Sequence, residues 1–424
     1  MIRYECSNYN ENGSFLMREY TKIYITKKAE FSAKLGHPWV FEDEIIRIEG
    51  QYNDGDLVDV MNDKARYIGT GFINNHSKIR VRIISRNAND KFDEKFFERR
   101  LRYAVEYRKT VMPGADFKCC RLIFGEADFL PGLTVDRFND VLVAQVLALG
   151  MEIRKETIFK LLVEILEELG ETISGIYERN DVRIRGLEGM AEGKGAFKLQ
   201  GKDLLSCPLE TIIIENELKY RVDVVNGQKT GYFLDQKYNR LAIRKISKGR
   251  RVLDCFTHTG AFALNAAAGG AALVTAVDVS KEAIANTKHN ILLNGMEDKV
   301  ETLEANVFDL LTELTIKQVR NYDFIILDPP AFTKSGSTVK NALRGYKEIN
   351  LKAMKLLPRG GYLATCSCSH FMPEGLFIKM LKEAACDADV SLRQVEARQQ
   401  SPDHPILYSV PETNYLKFYI FQVV

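Results

Sequence analysis

The sequence has no apolar run that reaches the roughly 18 residues a membrane-spanning helix needs, so no helical span is expected. Its first residues, 1–15, lack the apolar core of a secretory signal. Residues 1–17 read as a polar leader, with Met17 as an alternative functional start. There is no internal repeat and no low-complexity tract. None of the eight cysteines is spaced as CxxC, which removes the usual zinc pairs and a small disulfide framework. Reduced thiols, most of them buried, are the plain expectation, and with them a cytoplasmic location. Net charge is only +2, so composition alone does not announce a nucleic-acid partner.

Hydrophobic content of 46% and charged content of 27% over 424 residues leave a soluble globular chain of two or three domains. Residues 20–86 alternate short strand patterns with turns: 20–26, 57–61, 65–72 and 79–85. They predict a small β-domain of barrel type over 18–90. Residues 91–112 turn helical, and 78–109 hold 11 Lys/Arg against 5 Asp/Glu. Such a stretch can meet phosphates or form a solvated helix face. Strand patterns at 133–136, 141–147 and 175–177 flank a helical one at 158–169, predicting an α+β domain over 91–210. From 211 to 424 strands and helices alternate, which predicts a parallel sheet of the doubly wound α/β type. Ligands of such sheets bind at the carboxyl ends of the strands.

Those ends carry the unusual residues. Asp254 closes the first strand, and the turn Cys255-Phe256-Thr257-His258-Thr259-Gly260 leads into a helix. The GxGxxG fingerprint that brings pyrophosphate onto a helix start is absent. One acid and one glycine suit a ligand without phosphates. Asp278, 24 residues later, ends the next strand, where a carboxylate can hold both hydroxyls of a ribose. Asn306 and Asp309 follow the third strand, where an adenine edge would lie, although N-capping accounts for such residues too. A ribose, a cation and no phosphate describe S-adenosyl-L-methionine, the expected cofactor.

Asp328-Pro329-Pro330-Ala331-Phe332 ends another strand. The prolines offer no N–H and fix φ, so the carboxylate can accept from the exocyclic amine of a flat base, with Phe332 free to stack on it. Cys366 and Cys368 lie at the end of the following strand. Carbon 5 of a pyrimidine is a poor nucleophile until a thiolate adds at carbon 6, and a thiol both adds and leaves well. Methylation of a base nitrogen needs no such group. Cys366 and Cys368 share a strand face by periodicity, which does not choose between them.

At these residues the chain resembles the class I large-subunit (23S) rRNA 5-methylcytosine methyltransferases that carry an N-terminal PUA domain. The likeness runs through Lys34-Leu-Gly-His-Pro-Trp39-Val-Phe41, Gly55-Asp56-Leu57-Val58, Gly69-Thr70-Gly71 and Leu130–Asp136 to Gln228–Gln236 and the two strand-end motifs. It implies a PUA-like RNA-binding domain at 18–90 and a Rossmann-like class I methyltransferase domain at 211–424. It also implies that Lys229, Thr230, Phe233 and Asp235 approach the cofactor. The family motif centres on Ser-Cys-Ser, which favours Cys368 as nucleophile; the Thr-Cys of other pyrimidine carbon methyltransferases favours Cys366.

The leading expectation is therefore cytosine-C5 methylation of large-subunit rRNA, with Cys368, Cys366 and Asp328 as the reacting groups. A guanine-nitrogen methyltransferase on the same scaffold and a non-catalytic RNA-binding assembly factor are the alternatives. A homodimer is one assembly open to the chain. The sequence gives neither the target nucleotide nor the oligomeric state.

Overall fold

The computed structural model describes residues 20–200, 207–333 and 338–424; the polar leader and Met17 lie outside them. The chain folds as two compact units. One takes in most of the first 208 residues and 407–410; the other takes in 111–120, 209–406 and 411–424.

In the first unit six strands form one sheet in the order 39–40, 81–85, 67–73, 57–61, 21–25, 45–49. Its inner face is aliphatic, with Ile23, Ile25, Val58, Val60, Ile73 and Val81 fully buried. Helix Lys27–Lys34 enters through Thr26, whose hydroxyl accepts from the Ala29 N–H. Helix Glu94–Val111 follows, then a five-stranded sheet in the order 193–197, 175–180, 141–146, 133–138, 119–124. Helix Lys155–Glu168 is the amphipathic one predicted at 158–169, with Ile158, Leu162, Ile165 and Leu166 buried.

The second unit holds a seven-stranded sheet, whose strands are β1 Arg251–Cys255, β2 Leu273–Asp278, β3 Val300–Glu304, β4 Phe324–Leu327, β5 Tyr362–Ser367, β6 Leu392–Arg398 and β7 Lys417–Val423. Their order is β3-β2-β1-β4-β5-β7-β6. β1 to β5 run parallel. The parallel sheet expected from the sequence is formed by β1 to β5, and at its far edge β7 adds antiparallel pairing with both β5 and β6. β6 and β7 are joined by the long connection 399–416, which holds no crossover helix, so helix–strand alternation carries no trace of the antiparallel return. β1, β4 and β5 are apolar because helices cover both faces, and Leu253, Cys255, Ile325, Leu327 and Leu363 join Tyr346, Ile349 and Phe377 in one core. The hairpin Glu210–Glu215 with Leu218–Asp223 and the helix Lys237–Ile246 lay in stretches without a sequence assignment.

Candidate active site

The strand order reverses beside β1, so a crevice opens where β1 and β4 end. The turn leaving β1 is contorted: Phe256, His258 and Gly260 have φ of 64°, 53° and 77°. A non-glycine residue in the left-handed region costs about 1–3 kcal/mol, and such outliers gather at ligand sites. The turn aims its groups at the carboxylates. Asp254 Oδ2 accepts from the Thr257 hydroxyl (2.6 Å) and the Ala263 N–H (3.0 Å). Asp254 Oδ1 is buried with no partner among the described residues. Burial, reinforced by the charges of Asp328 and Asp278, pushes the Asp254 carboxyl up to about 7.

Asp278 is half-buried; its Oδ2 accepts from the His258 N–H and its Oδ1 from the Ser280 N–H, each at 3.0 Å. Each oxygen keeps a lone pair, which is what two adjacent hydroxyls need. Burial lowers the His258 imidazole to about 4, and its ring meets that of Phe233 edge-on at 5.1 Å. Thr259 is buried, its carbonyl accepting from Asn290 Nδ2 at 2.9 Å, and Phe256 is half-buried against the core. Gly260 is a glycine for a packing reason as well as a conformational one: a Cβ there would lie 2.7 Å from Thr287 Cγ2. Asn306 caps helix Val307–Ile316, accepting from the Phe308 N–H at 2.9 Å, and Asp309 is exposed in that helix's first turn. Capping thus occupies Asn306, whatever else it touches.

Segment 228–236 is tied down from below. Arg240 donates to the Phe233 carbonyl (2.6 Å) and to Glu215 Oε1 (2.7 Å), a fully buried ion pair. Lys229 is exposed with φ 57°, and Thr230 is buried. Asp235 Oδ2 accepts from the Tyr415 hydroxyl at 2.7 Å, while Asp235 Oδ1 is buried and unpartnered among the described residues.

Asp328 leaves β4 into this crevice. Its Oδ1 accepts from the Cys366 thiol at 2.8 Å and from Gln236 Nε2 at 3.2 Å. Gln236 cannot flip, because its Oε1 accepts from Asn239 Nδ2 at 2.7 Å, and Asn239 Oδ1 accepts from Arg398 Nε at 3.0 Å. Burial, with Asp235 adding its charge, pushes Asp328 up to about 6. Pro329 is buried and Pro330 exposed. Phe332 lies against Tyr346 (4.6 Å between centroids) and Phe308 (5.7 Å), so packing has a claim on the ring that the sequence assigned to a base.

The two cysteines are not equivalent. Cys366 is 1% exposed on β5, and its single S–H has two acceptors in reach, Asp328 Oδ1 at 2.8 Å and the Leu327 carbonyl at 3.4 Å, the former the closer. Cys368 lies one residue past the end of β5 and is half-buried. Burial pushes the Cys368 thiol up to about 12, Asp328 and Asp235 push the same way, and Lys229 opposes them. Lys417, opposite Ser367 on β7, donates to the Ser369 and Tyr415 carbonyls, and burial lowers it to about 8 while both thiols act to raise it.

Asp235, Asp254, Asp328, Cys366, Cys368, Lys229 and Phe233 therefore converge, with Asp278 behind the turn. Gln236, Arg240, His258 and Lys417 were missed by sequence reasoning. A lone lysine in the apolar strand 416–421 is a signal that marks Lys417; nothing in one sequence marks the others. S-adenosylmethionine fits what is here. It brings a sulfonium and an ammonium to a crevice holding two unpartnered carboxylate oxygens, and a ribose to an acid with free lone pairs.

A Rossmann-like sheet with that crevice defines an S-adenosylmethionine-dependent methyltransferase, and the family model of that description matches residues 199–421. A PUA-like domain model matches 23–86. The relatives include a protein of Pseudoalteromonas translucida, 40% identical over 95% of this chain and 99% of its own length. Another, of Klebsiella pneumoniae, is 36% identical over 96% and 99%. Both are named Ribosomal RNA large subunit methyltransferase I. The chain belongs to that methyltransferase family. A putative methyltransferase of Streptococcus mutans shares the fold, with TM-score 0.78 at 21% identity over 95% of this chain and all of its own. A putative methyltransferase complexed with SAH has TM-score 0.79 at 21% identity over the same shares.

Proposed function

We propose that this chain methylates carbon 5 of a cytosine in large-subunit ribosomal RNA. The observation that carries the reading is the hydrogen bond from the Cys366 thiol to Asp328 Oδ1, with the half-buried Cys368 two residues on. A methyltransferase for a base nitrogen has no use for thiols at that place.

Asp328 Oδ2 accepts from the exocyclic amine of the base, while Oδ1 is held by Gln236 and Cys366. Cys368 sulfur adds to carbon 6, which turns carbon 5 into the nucleophile. Asp235, Asp254 and Asp278 would hold S-adenosylmethionine, which would supply an electrophilic methyl on its sulfonium. With the methyl bonded to carbon 5, the carbon-5 proton passes to solvent and the carbon 6–sulfur bond breaks, which returns the Cys368 thiolate and restores the ring. Cys366 is the poorer nucleophile because its thiol is sealed and already donating to Asp328. The high pKa of Cys368 is a property of the free protein. Neutralising Asp235 and Asp328 with bound cation and amine removes the acids' share of that upward push; burial, its largest cause, stays, and Lys229 opposes it.

Nucleoside mass spectrometry of rRNA incubated with protein and labelled cofactor tests this. Cys368→Ser should lose at least about a thousandfold in methyl transfer, and Asp328→Asn about a hundredfold or more, both with cofactor binding retained. A methylguanosine product, or full activity in Cys368→Ser, rejects the reading.

We also infer a cytoplasmic protein, supported by seven described cysteines none of which is joined in a disulfide. No helix among the described residues is long and apolar enough to cross a membrane. A homodimer is supported by the exposed Ile212 and Ile214 of the 210–223 hairpin. A single-chain mass in sedimentation would reject it.

A further inference from the structure

Helix Glu94–Val111 and the single-turn helix Gly125–Asp128 enclose a cleft of about 400 Å³ in the first unit, lined by Arg99, Arg100, Tyr103, Tyr107, Asp128 and Phe129. Arg99, Tyr103 and Tyr107 recur every four residues, which sets them along one helix face. Tyr103 is 62% exposed, Phe129 47% and Tyr107 37%. Single exposed aromatics need no explanation, but three around one cleft with two guanidiniums do.

The cleft is also built. Phe129 caps its short helix at φ 58°, a conformation that a bulky side chain avoids. There its ring lies 5.0 Å from Arg100 Cζ, which is also 4.9 Å from the Phe96 ring. Arg100 donates to the Ile84 carbonyl at 2.7 Å and forms no ion pair among the described residues. Asp128, the acid in the lining, is already neutralised by Arg108 at 2.5 Å and accepts from the Phe124 N–H at 2.6 Å. Arg99 pairs with Asp90 at 3.0 Å but is half exposed. The surrounding stretch 78–109 has 11 basic residues against 5 acidic ones.

We propose that this cleft binds an unpaired stretch of RNA, with a base on the Tyr103, Tyr107 and Phe129 rings and flanking phosphates on Arg99 and Arg100. Every nucleobase has a π-face, and guanidiniums serve both phosphate and stacked rings. A duplex hides its faces in the stack and offers the rings nothing. The inference rests on the reading of the chain as an RNA methyltransferase and adds to it a site away from the reacting groups.

Binding of the full chain to a single-stranded oligocytidylate and to an RNA duplex of equal length tests it. Tyr103→Ala with Tyr107→Ala should weaken single-strand binding about tenfold or more. Duplex binding and cofactor binding should stay as they are, and Tyr103→Ala alone, at a ring 62% exposed, should leave the thermal unfolding midpoint unchanged; Tyr107 is 37% exposed with Arg108 Cζ 5.2 Å from its ring. Arg99→Gln should lower the slope of log K against log salt by about 0.7, the loss of one phosphate contact. Unchanged single-strand affinity in the double variant overturns the cleft while leaving the RNA reading standing. A wild-type chain that binds neither RNA overturns both.

Discussion

A carboxyl buried against two other acids keeps its proton into the neutral range, and that is the condition of Asp254 before a ligand arrives. Its folded pKa of about 7 lies above the unfolded value of 3.8. The stability it contributes is therefore fully present below about pH 4 and lost as pH rises through about 7. A cation bound to Oδ1 needs the ionised form, so binding expels the proton. Cofactor affinity should weaken as pH falls from 7.5 to about 5.5, with Asp328 and Asp278 the acids that face this group. Calorimetry in two buffers of different ionisation enthalpy should show proton release near pH 6.5. Asp254→Asn should bind about ten to a hundredfold more weakly and release no proton, since a charge-assisted bond is worth about 1.5–3 kcal/mol. Equal affinity at both pH values would refute the assignment. The sequence showed that Asp254, Asp278 and Asp328 stand at strand ends. It did not show which oxygens stay free, because that depends on the N–H groups of a turn with three positive φ angles.

Elements defined by periodicity were legible, and those defined by pairing were not. β1, β2, β4 and β5 stand out as apolar runs closed by an acid or a cysteine, and the cap of helix Lys281–Leu293 is the predicted Ser280, whose hydroxyl accepts from the Ala283 N–H. The 210–223 hairpin is amphipathic with half-exposed isoleucines, which blurs its pattern. The antiparallel edge follows from β7 returning between β5 and β6, a long-range choice. Periodicity did not show which of Cys366 and Cys368 is sealed, because the difference is local: Cys366 lies within β5 and Cys368 one residue past its end. Gly260 belongs at this scale too. Replacing it by Ala puts a side chain at φ 77° and a Cβ 2.7 Å from Thr287 Cγ2. The two effects should lower unfolding free energy by about 1–3 kcal/mol. Urea denaturation of Gly260→Ala reads this, and an unchanged midpoint would show that the turn has another way to relax.

At the scale of the molecule the reacting groups, the cofactor acids and the cysteines all fall in one of the two compact units, whereas the PUA-like sheet and the aromatic cleft fall in the other. Net charge of only +2 hid this division, because the basic excess is confined to one stretch. Methyl transfer by this account needs one event that a nitrogen methyltransferase never performs, the bonding of a cysteine sulfur to the target base. An RNA substrate carrying 5-fluorocytidine exposes that event, since fluorine at carbon 5 cannot leave as a proton does and the adduct persists. Incubation of the wild-type chain with this RNA and S-adenosylmethionine, followed by denaturing electrophoresis and peptide mass spectrometry, should give a crosslink at Cys368. It should be absent from Cys368→Ser. Methyl transfer without any adduct, or an adduct mapped to Cys366, would contradict the account.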